Sequence, residues 1–282
     1  MSAIAISDHG NLGGWLEFYL ECKKIEIKPI LSIETYITMD PDNLPKENRT
    51  RDNFHMILTA MDEEGYKNLL WLSSNAYINN FYYRPRIFLD HLITRSRGLL
   101  GQSACLAGVL CRSATYDEIN KVYWDEHHNS EHAVGMFKEI FHGNYYLELM
   151  DNPFDQQIAY NKFLIDLAKK TDSKLIISAD SHYTKKDDYE LHSLLMAMQT
   201  KQTLTQYHEN SKFHYGPWYY IKSPQEMLDS AKKLDVEQAF HNSLEIASKC
   251  DINLKLGEYR MPKFKIQDDP DYEDFIKNET TR

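Results

Sequence analysis

Two short apolar runs, each ending in a carboxylate and an imidazole, constrain this chain more than any other feature. AIAIS is followed by Asp8-His9-Gly10, and LIISA by Asp180-Ser181-His182. Runs of this length and β-branched content read as buried strands, so both pairs fall where a strand meets a loop. Carboxylate and imidazole are the donors that hold hard-to-borderline divalent cations. Two such pairs, distant in sequence, point to one site assembled on a barrel or open sheet.

The pattern between them supports that architecture. Strands are expected over 3–7, 29–38, 55–61, 99–102, 145–150 and 174–179. Between them fall helical periodicities over 13–24, with Trp15, Phe18, Tyr19 and Cys22 on one face, and over 63–79, with Leu69, Leu70 and Leu72 inward. Further helices are expected over 117–141, 154–170 and 187–199, and a polar loop over 40–53. This alternation predicts an α/β fold with a parallel sheet, open or closed. Residues 202–220 read as loop, with Gly216-Pro217. Ser223-Pro224-Gln225-Glu226 is a capping box with proline at the first helical position, so a helix starts there and a second spans 236–250. From Gly257 onward the periodicity fades, as in a connecting segment.

Composition narrows the function classes. A net charge of -10 in 282 residues repels a phosphate backbone, which disfavours a simple nucleic-acid clamp and favours a module of a larger assembly or an enzyme whose metals supply positive charge. Cys22, Cys105, Cys111 and Cys250 form no CxxC pair and read as reduced thiols of a cytoplasmic protein. No run approaches the roughly 20 apolar residues of a membrane span, and the first residues do not resemble a signal peptide.

The polar residues at strand ends, or stranded within apolar strands, form a candidate metal set: His9, Glu34, His55, Cys105, Asp180 and His182. Each has a plain structural reading. A histidine after a strand is often a loop residue, Glu34 could pair with a lysine, Cys105 could be a small core residue, and Asp8-His9-Gly10 could be a turn. What joins them is the same donor chemistry recurring in several βα units, at the rim where barrel enzymes carry their sites. His192 is a candidate for support or for core. His127, His128 and His132, among acidic neighbours, read as a solvated face. Tyr215, Trp218, Tyr219 and Tyr220 read as packing rather than base stacking.

Longer segments carry a resemblance. AIAISDHGNLGGWLEFYLECKKIEIKPILSIETYI, HMILTAMDEEGYKNLLWLSSNAY, YYRPRI, SACLAGVL, YYLELM, LIISADSHYTKKDDYELHSLLMAMQT and LGEYRMPKF occur in this order. Together the chain resembles the polymerase and histidinol phosphatase (PHP) domain at the front of bacterial replicative DNA polymerase III alpha subunits. The resemblance implies a distorted (β/α)7-type PHP barrel with a helical C-terminal extension. It implies a PHP domain over residues 1–257 and, over 258–282, a lead-in to a polymerase core. It also implies divalent metal ions (Zn, Mn or Mg) held by His9, Glu34, His55, Cys105, Asp180 and His182, with Asp8 and His192 supporting them.

The family begins with an HxH strand, and no HxH occurs in this chain. The expectation is a fold incomplete at its N-terminus, without its first βα unit, with an exposed strand edge and a depleted metal cluster. The implied role is in DNA replication: a scaffold for the polymerase core, with residual 3'-5' exonuclease-type phosphodiester hydrolysis that is weak or absent. Expected partners are the remainder of the alpha subunit, a proofreading exonuclease subunit and other replisome proteins, with DNA met mainly through the polymerase core and no membrane. Polymerisation itself requires palm-domain aspartates outside this chain. The rival readings are a stand-alone metal-dependent PHP phosphoesterase and a metal-free binding module.

Overall fold

The computed structural model describes residues 1–39, 53–114, 130–210 and 216–258. The chain divides into two compact units, Met1–Ile252 and Asn253–Arg282, and the following concerns the first. Residues 40–52 of the expected loop, residues 117–129 of the expected helix, Tyr215 and most of the expected lead-in lie outside the described residues.

Eight strands form one mixed sheet, curled into a half-barrel with helices outside it. They are β1 (Ala3–His9), β2 (Lys28–Thr38), β3 (Phe54–Ala60), β4 (Phe81–Tyr82), β5 (Arg84–Phe88), β6 (Leu99–Gln102), β7 (Tyr145–Met150) and β8 (Lys174–Ser178). The helices are α1 (Trp15–Lys24), α2 (Glu63–Ile78), α3 (Leu89–Thr94), α4 (Val109–Ala114), α5 (Ser130–Ile140), α6 (Asp155–Thr171), α7 (Tyr189–Gln199), α8 (Leu204–Asn210), α9 (Pro224–Lys233) and α10 (Glu237–Lys249). The spatial order runs β4-β5-β2-β3-β6-β7-β8, with β1 also on β2. β1 and β5 share one edge of the long β2, end to end: β1 pairs with it up to Glu34 and β5 from Tyr36.

The sheet is mixed rather than parallel as expected. β3 runs antiparallel to both β2 and β6. Direction is set by the connection, and no described helix lies between β2 and β3 to carry a crossover. Two further departures are local. Leu70 is exposed, because the inward stripe of α2 is Gly65, Asn68, Leu69, Leu72 and Ala76. Residues 202–220 include α8, whose polar sequence LTQYHEN hides a helix that buries little beyond Tyr207.

The capping box holds as read: the Ser223 side chain accepts from the Glu226 N–H, and Glu226 accepts from the Ser223 N–H. On α1 the face toward the sheet is Trp15, Tyr19 and Cys22, with the Trp15 Nε1–H donating to the Ser32 carbonyl. No disulfide links the four cysteines. Among the described residues no helix is long and apolar enough to cross a membrane.

Inside the curl, side chains change character two residues at a time along each strand, as the pleat requires. The lower layer is apolar: Ile30, Leu100, Tyr146 and Ile176, packed with Ala3 and closed by Ile246 and Cys250. One step up lie Ser32, Thr59 and Gln102, joined by hydrogen bonds of 2.7 and 3.1 Å. Glu148 and Ser178 follow Tyr146 and Ile176 on the same face. Glu34 and His9 reach the rim.

The outer edges of β8 and β1 differ. At β8, Asn242 of α10 donates to the Leu175 carbonyl, and Ser243 bonds both the N–H and the carbonyl of Ile177. β1 has β2 as its strand partner and, among the described residues, none on its other side.

Candidate metal centre

Register builds the tightest part of the site. His9, the last residue of β1, pairs with Glu34 of β2, and Tyr36 two residues on pairs with His55 of β3. β2 runs past the end of β1, so Glu34 sits mid-strand yet level with the rim. His55 lies near the start of β3 but at the same rim, because β3 is antiparallel. Drawn on a parallel sheet, His55 would have been misplaced.

One donor atom each from His9, Glu34 and His55 falls within a 4.8 Å cluster. His55 Nδ1 is 2.6 Å from Glu34 Oε1, and His9 Nδ1 is 3.4 Å from Oε2. Cys105 lies on the turn after β6, its Sγ 3.4 Å from His55 Nδ1 and 3.8 Å from Glu34 Oε1. The same turn holds the His55 backbone, whose N–H donates to the Ala107 carbonyl.

Asp180 and His182 form the facing wall. Asp180 has left-handed backbone (φ 47°), and His182 Nδ1 lies 2.7 Å from the Asp180 carbonyl. The His182 ring is 6.3 Å from that of His9 and 5.9 Å from that of His192. The wall is tied to the segment before α9: the His182 N–H donates to the Tyr219 carbonyl, and the Ser181 hydroxyl to the Tyr220 carbonyl. Trp218 and Tyr219 pack here beside Phe154 and His182. Asp8 alternates to the other face of β1, its carboxylate against Gly14 at the start of α1. His132 is exposed on α5, and His127 and His128 lie outside the described residues.

Both walls open on a cavity of about 600 Å³ between β1 and the end of β8, which also contains Glu148. Sequence reasoning missed Glu148, although a lone carboxylate inside YYLELM is the same signal that singled out Glu34. Its side chain is buried, and burial is the main cause that pushes its pKa up to about 7; Asp180 and Glu34 add to this, and Ser178 opposes it. Burial likewise raises Asp180 to about 6, with Glu34 adding and His182 opposing. Glu34 goes the other way. Burial acts against its ionisation, but the hydrogen bond and charge of His55, with His9 and His182, hold its pKa below the ordinary value. The His9 pKa is lowered, chiefly by desolvation, and burial raises the Cys105 thiol well above its usual range.

This donor set fits a divalent cation. Glu34, Glu148 and Asp180 crowd one cavity that Asp8 also lines, and Glu148 and Asp180 resist ionising there. A cation would relieve that repulsion; the imidazoles and thiol suit zinc, and the carboxylates suit manganese. Glu34 stays an anion and the His9 imidazole stays neutral, which are the protonation states a ligand needs.

The profile of the PHP domain family matches residues 1–152. DNA polymerase III subunit alpha of Aquifex aeolicus is 36% identical over 290 residues, covering 98% of this chain and 24% of the relative. The Helicobacter pylori protein of that name is 36% identical over 273 residues, covering 94% and 22%. That of Thermus aquaticus is 31% identical over 270 residues, covering 94% and 21%. The chain thus spans under a quarter of the length of these relatives. A half-barrel with a His–Glu–His cluster at its rim, under a matching family profile, gives the assignment: the chain belongs to the PHP domain family, and its similarity runs to the PHP region of DNA polymerase III alpha subunits.

Proposed function

We propose that this chain is the PHP portion of a DNA polymerase III alpha subunit, working in DNA replication. In this reading residues 1–257 form the PHP domain and 258–282 lead toward a polymerase core for which the half-barrel is a scaffold. A proofreading exonuclease subunit and other replisome proteins are partners, DNA is met mainly through the core, and the compartment is the cytoplasm. The site is a divalent-metal centre for phosphodiester hydrolysis of the 3'-5' exonuclease type, with low turnover.

The observation that carries the metal reading is the convergence of His9, Glu34 and His55 donor atoms within 4.8 Å at the rim of a cavity. When bound there, a divalent cation supplies a Lewis acid that activates water and neutralises charge on a phosphodiester. The residues do the rest. Glu34, kept ionised, anchors His9 and His55. Asp180 and His182 bound the opposite side. Glu148 (pKa about 7) stands ready to take up or return a proton near neutral pH. Low turnover follows from the donor count: three groups form the tight cluster, the Cys105 thiol is held protonated, and Asp180 and His182 belong to a separate wall.

The test is manganese- or zinc-dependent trimming of a single-stranded 3' end by the full chain. Slow trimming, removed by chelator and by Glu34→Gln, is expected. Fast trimming that survives Glu34→Gln, or no metal uptake at all, would overturn the reading.

A further inference from the structure

Among the described residues the cavity lining contains carboxylates and histidines but no lysine or arginine. A polyanionic strand entering it therefore needs positive charge at the mouth. Arg84 stands there. Its guanidinium carbon is 5.5 Å above the Tyr36 ring, and Tyr36 stacks on His9 at 6.2 Å and meets His55 edge-on at 5.3 Å. Arg84 is thus one aromatic ring removed from the proposed ligands.

Its position is built in. β4 and β5 pair Phe81 with Pro85 and Tyr82 with Arg84, so Tyr83 alone makes the turn. Pro85 rests on Gly10, where an added Cβ would come within 3.0 Å of both the Pro85 ring and the Tyr36 ring. Gly10 also has φ +67°, so the glycine after His9 is needed twice, and it locks the hairpin to the rim.

Tyr83 is 73% exposed and holds φ 58°, an unfavourable conformation for a bulky side chain. Backbone strain of this kind concentrates at sites of function. Phe81 and Tyr82 beside it are exposed too, and the Tyr82 and Tyr83 rings meet at 4.9 Å. Exposed rings next to an arginine are what a single strand uses for stacking and phosphate contact.

We propose that the Phe81–Arg84 turn is a platform for a single-stranded nucleic-acid end entering the cavity, with Arg84 on a backbone phosphate and Tyr83 under a base. This rests on the phosphodiester reading of the site and names the residues that would hold its strand. The test uses the full chain and a fluorescent oligothymidylate, with binding followed by anisotropy at several low salt concentrations in chelator. Manganese uptake by the same proteins is measured separately by calorimetry. Arg84→Ala should bind at least about 5-fold more weakly, with a salt slope shallower by about 0.7, the share of one phosphate. Tyr83→Gly, which suits the left-handed backbone and should fold at least as well, should lose about 5- to 100-fold with the slope unchanged. Tyr83→Phe should bind as the parent does.

The platform is overturned if the parent does not bind the strand, if Arg84→Ala keeps the parent's salt slope, or if both ring and guanidinium can be removed without effect, as when this face instead packs on another protein. Absent manganese uptake with strand binding intact would sink the hydrolytic site and leave the platform standing. The reverse result would sink the platform alone.

Discussion

The two walls of the cavity are held by different physics. His9, Glu34 and His55 sit on three adjacent strands, and the pairing register alone sets their spacing. Asp180 and His182 sit on a loop, held by hydrogen bonds to Tyr219 and Tyr220, which a capping box steadies in turn. A strand-borne donor moves only if the sheet slips, whereas a loop-borne donor moves whenever its neighbour does. The strand wall should therefore dominate cation affinity, and the loop wall should tune it.

The largest expected effect breaks the strand wall. Glu34→Gln keeps the shape and removes the anion joining both histidines. Divalent-cation affinity by calorimetry should fall by about 100-fold or more, the upper end of what supporting residues cost. A loss smaller than that of Asp180→Asn would reverse the ranking of the two walls.

Glu148, between the walls, gives the next effect. Its folded-state pKa of about 7 lies above the ordinary carboxyl value of 4.5, so the folded protein holds this proton more tightly than the unfolded chain. The stability it contributes is complete below about pH 4.5 and is lost as the pH rises through about 7. From about pH 5 to about pH 8 the loss is on the order of a few kcal/mol by urea denaturation. Glu148→Gln should flatten that dependence, and an added divalent cation should oppose it in the parent. A parent whose stability rises over this interval would contradict the buried, proton-retaining carboxylate.

Asp180→Asn tests the loop wall, with an expected loss of about 10-fold in cation affinity. Smallest is Ser223→Ala, which removes the cap of α9 at about 1 kcal/mol. It should weaken cation binding only slightly, through Tyr219 and Tyr220, and should slow no metal uptake that depends on Glu34. An effect on affinity equal to that of Asp180→Asn would show that the loop wall is as rigid as the strand wall.

The same division explains what could be read from the sequence. Strand-borne donors announce themselves, because a carboxylate or imidazole in an apolar run must be compensated. Glu34 and His55 were visible on that ground, and Glu148 carried the same mark in YYLELM without being selected. Strand direction was not visible. Nothing in HMILTA says that it runs against PILSIETYIT, so the reason both residues reach one rim emerged only from the register. Asp180 and His182 could be named from their motif, but their distance from His9 depends on Tyr219 and Tyr220, forty residues away in sequence and without a local signal. The segment YYRPRI was read only as part of a sequence resemblance, and its contact with the rim appeared only when Pro85 was found against Gly10.

Asn242 and Ser243 have a consequence beyond β8. By spending their side chains on its outer backbone, they occupy the β8 flank of the half-barrel. A segment that adds to the sheet along Ala3–His9 would project every second residue into the chamber beside His9. Enlarging the fold and furnishing its chemistry are, for this architecture, a single event.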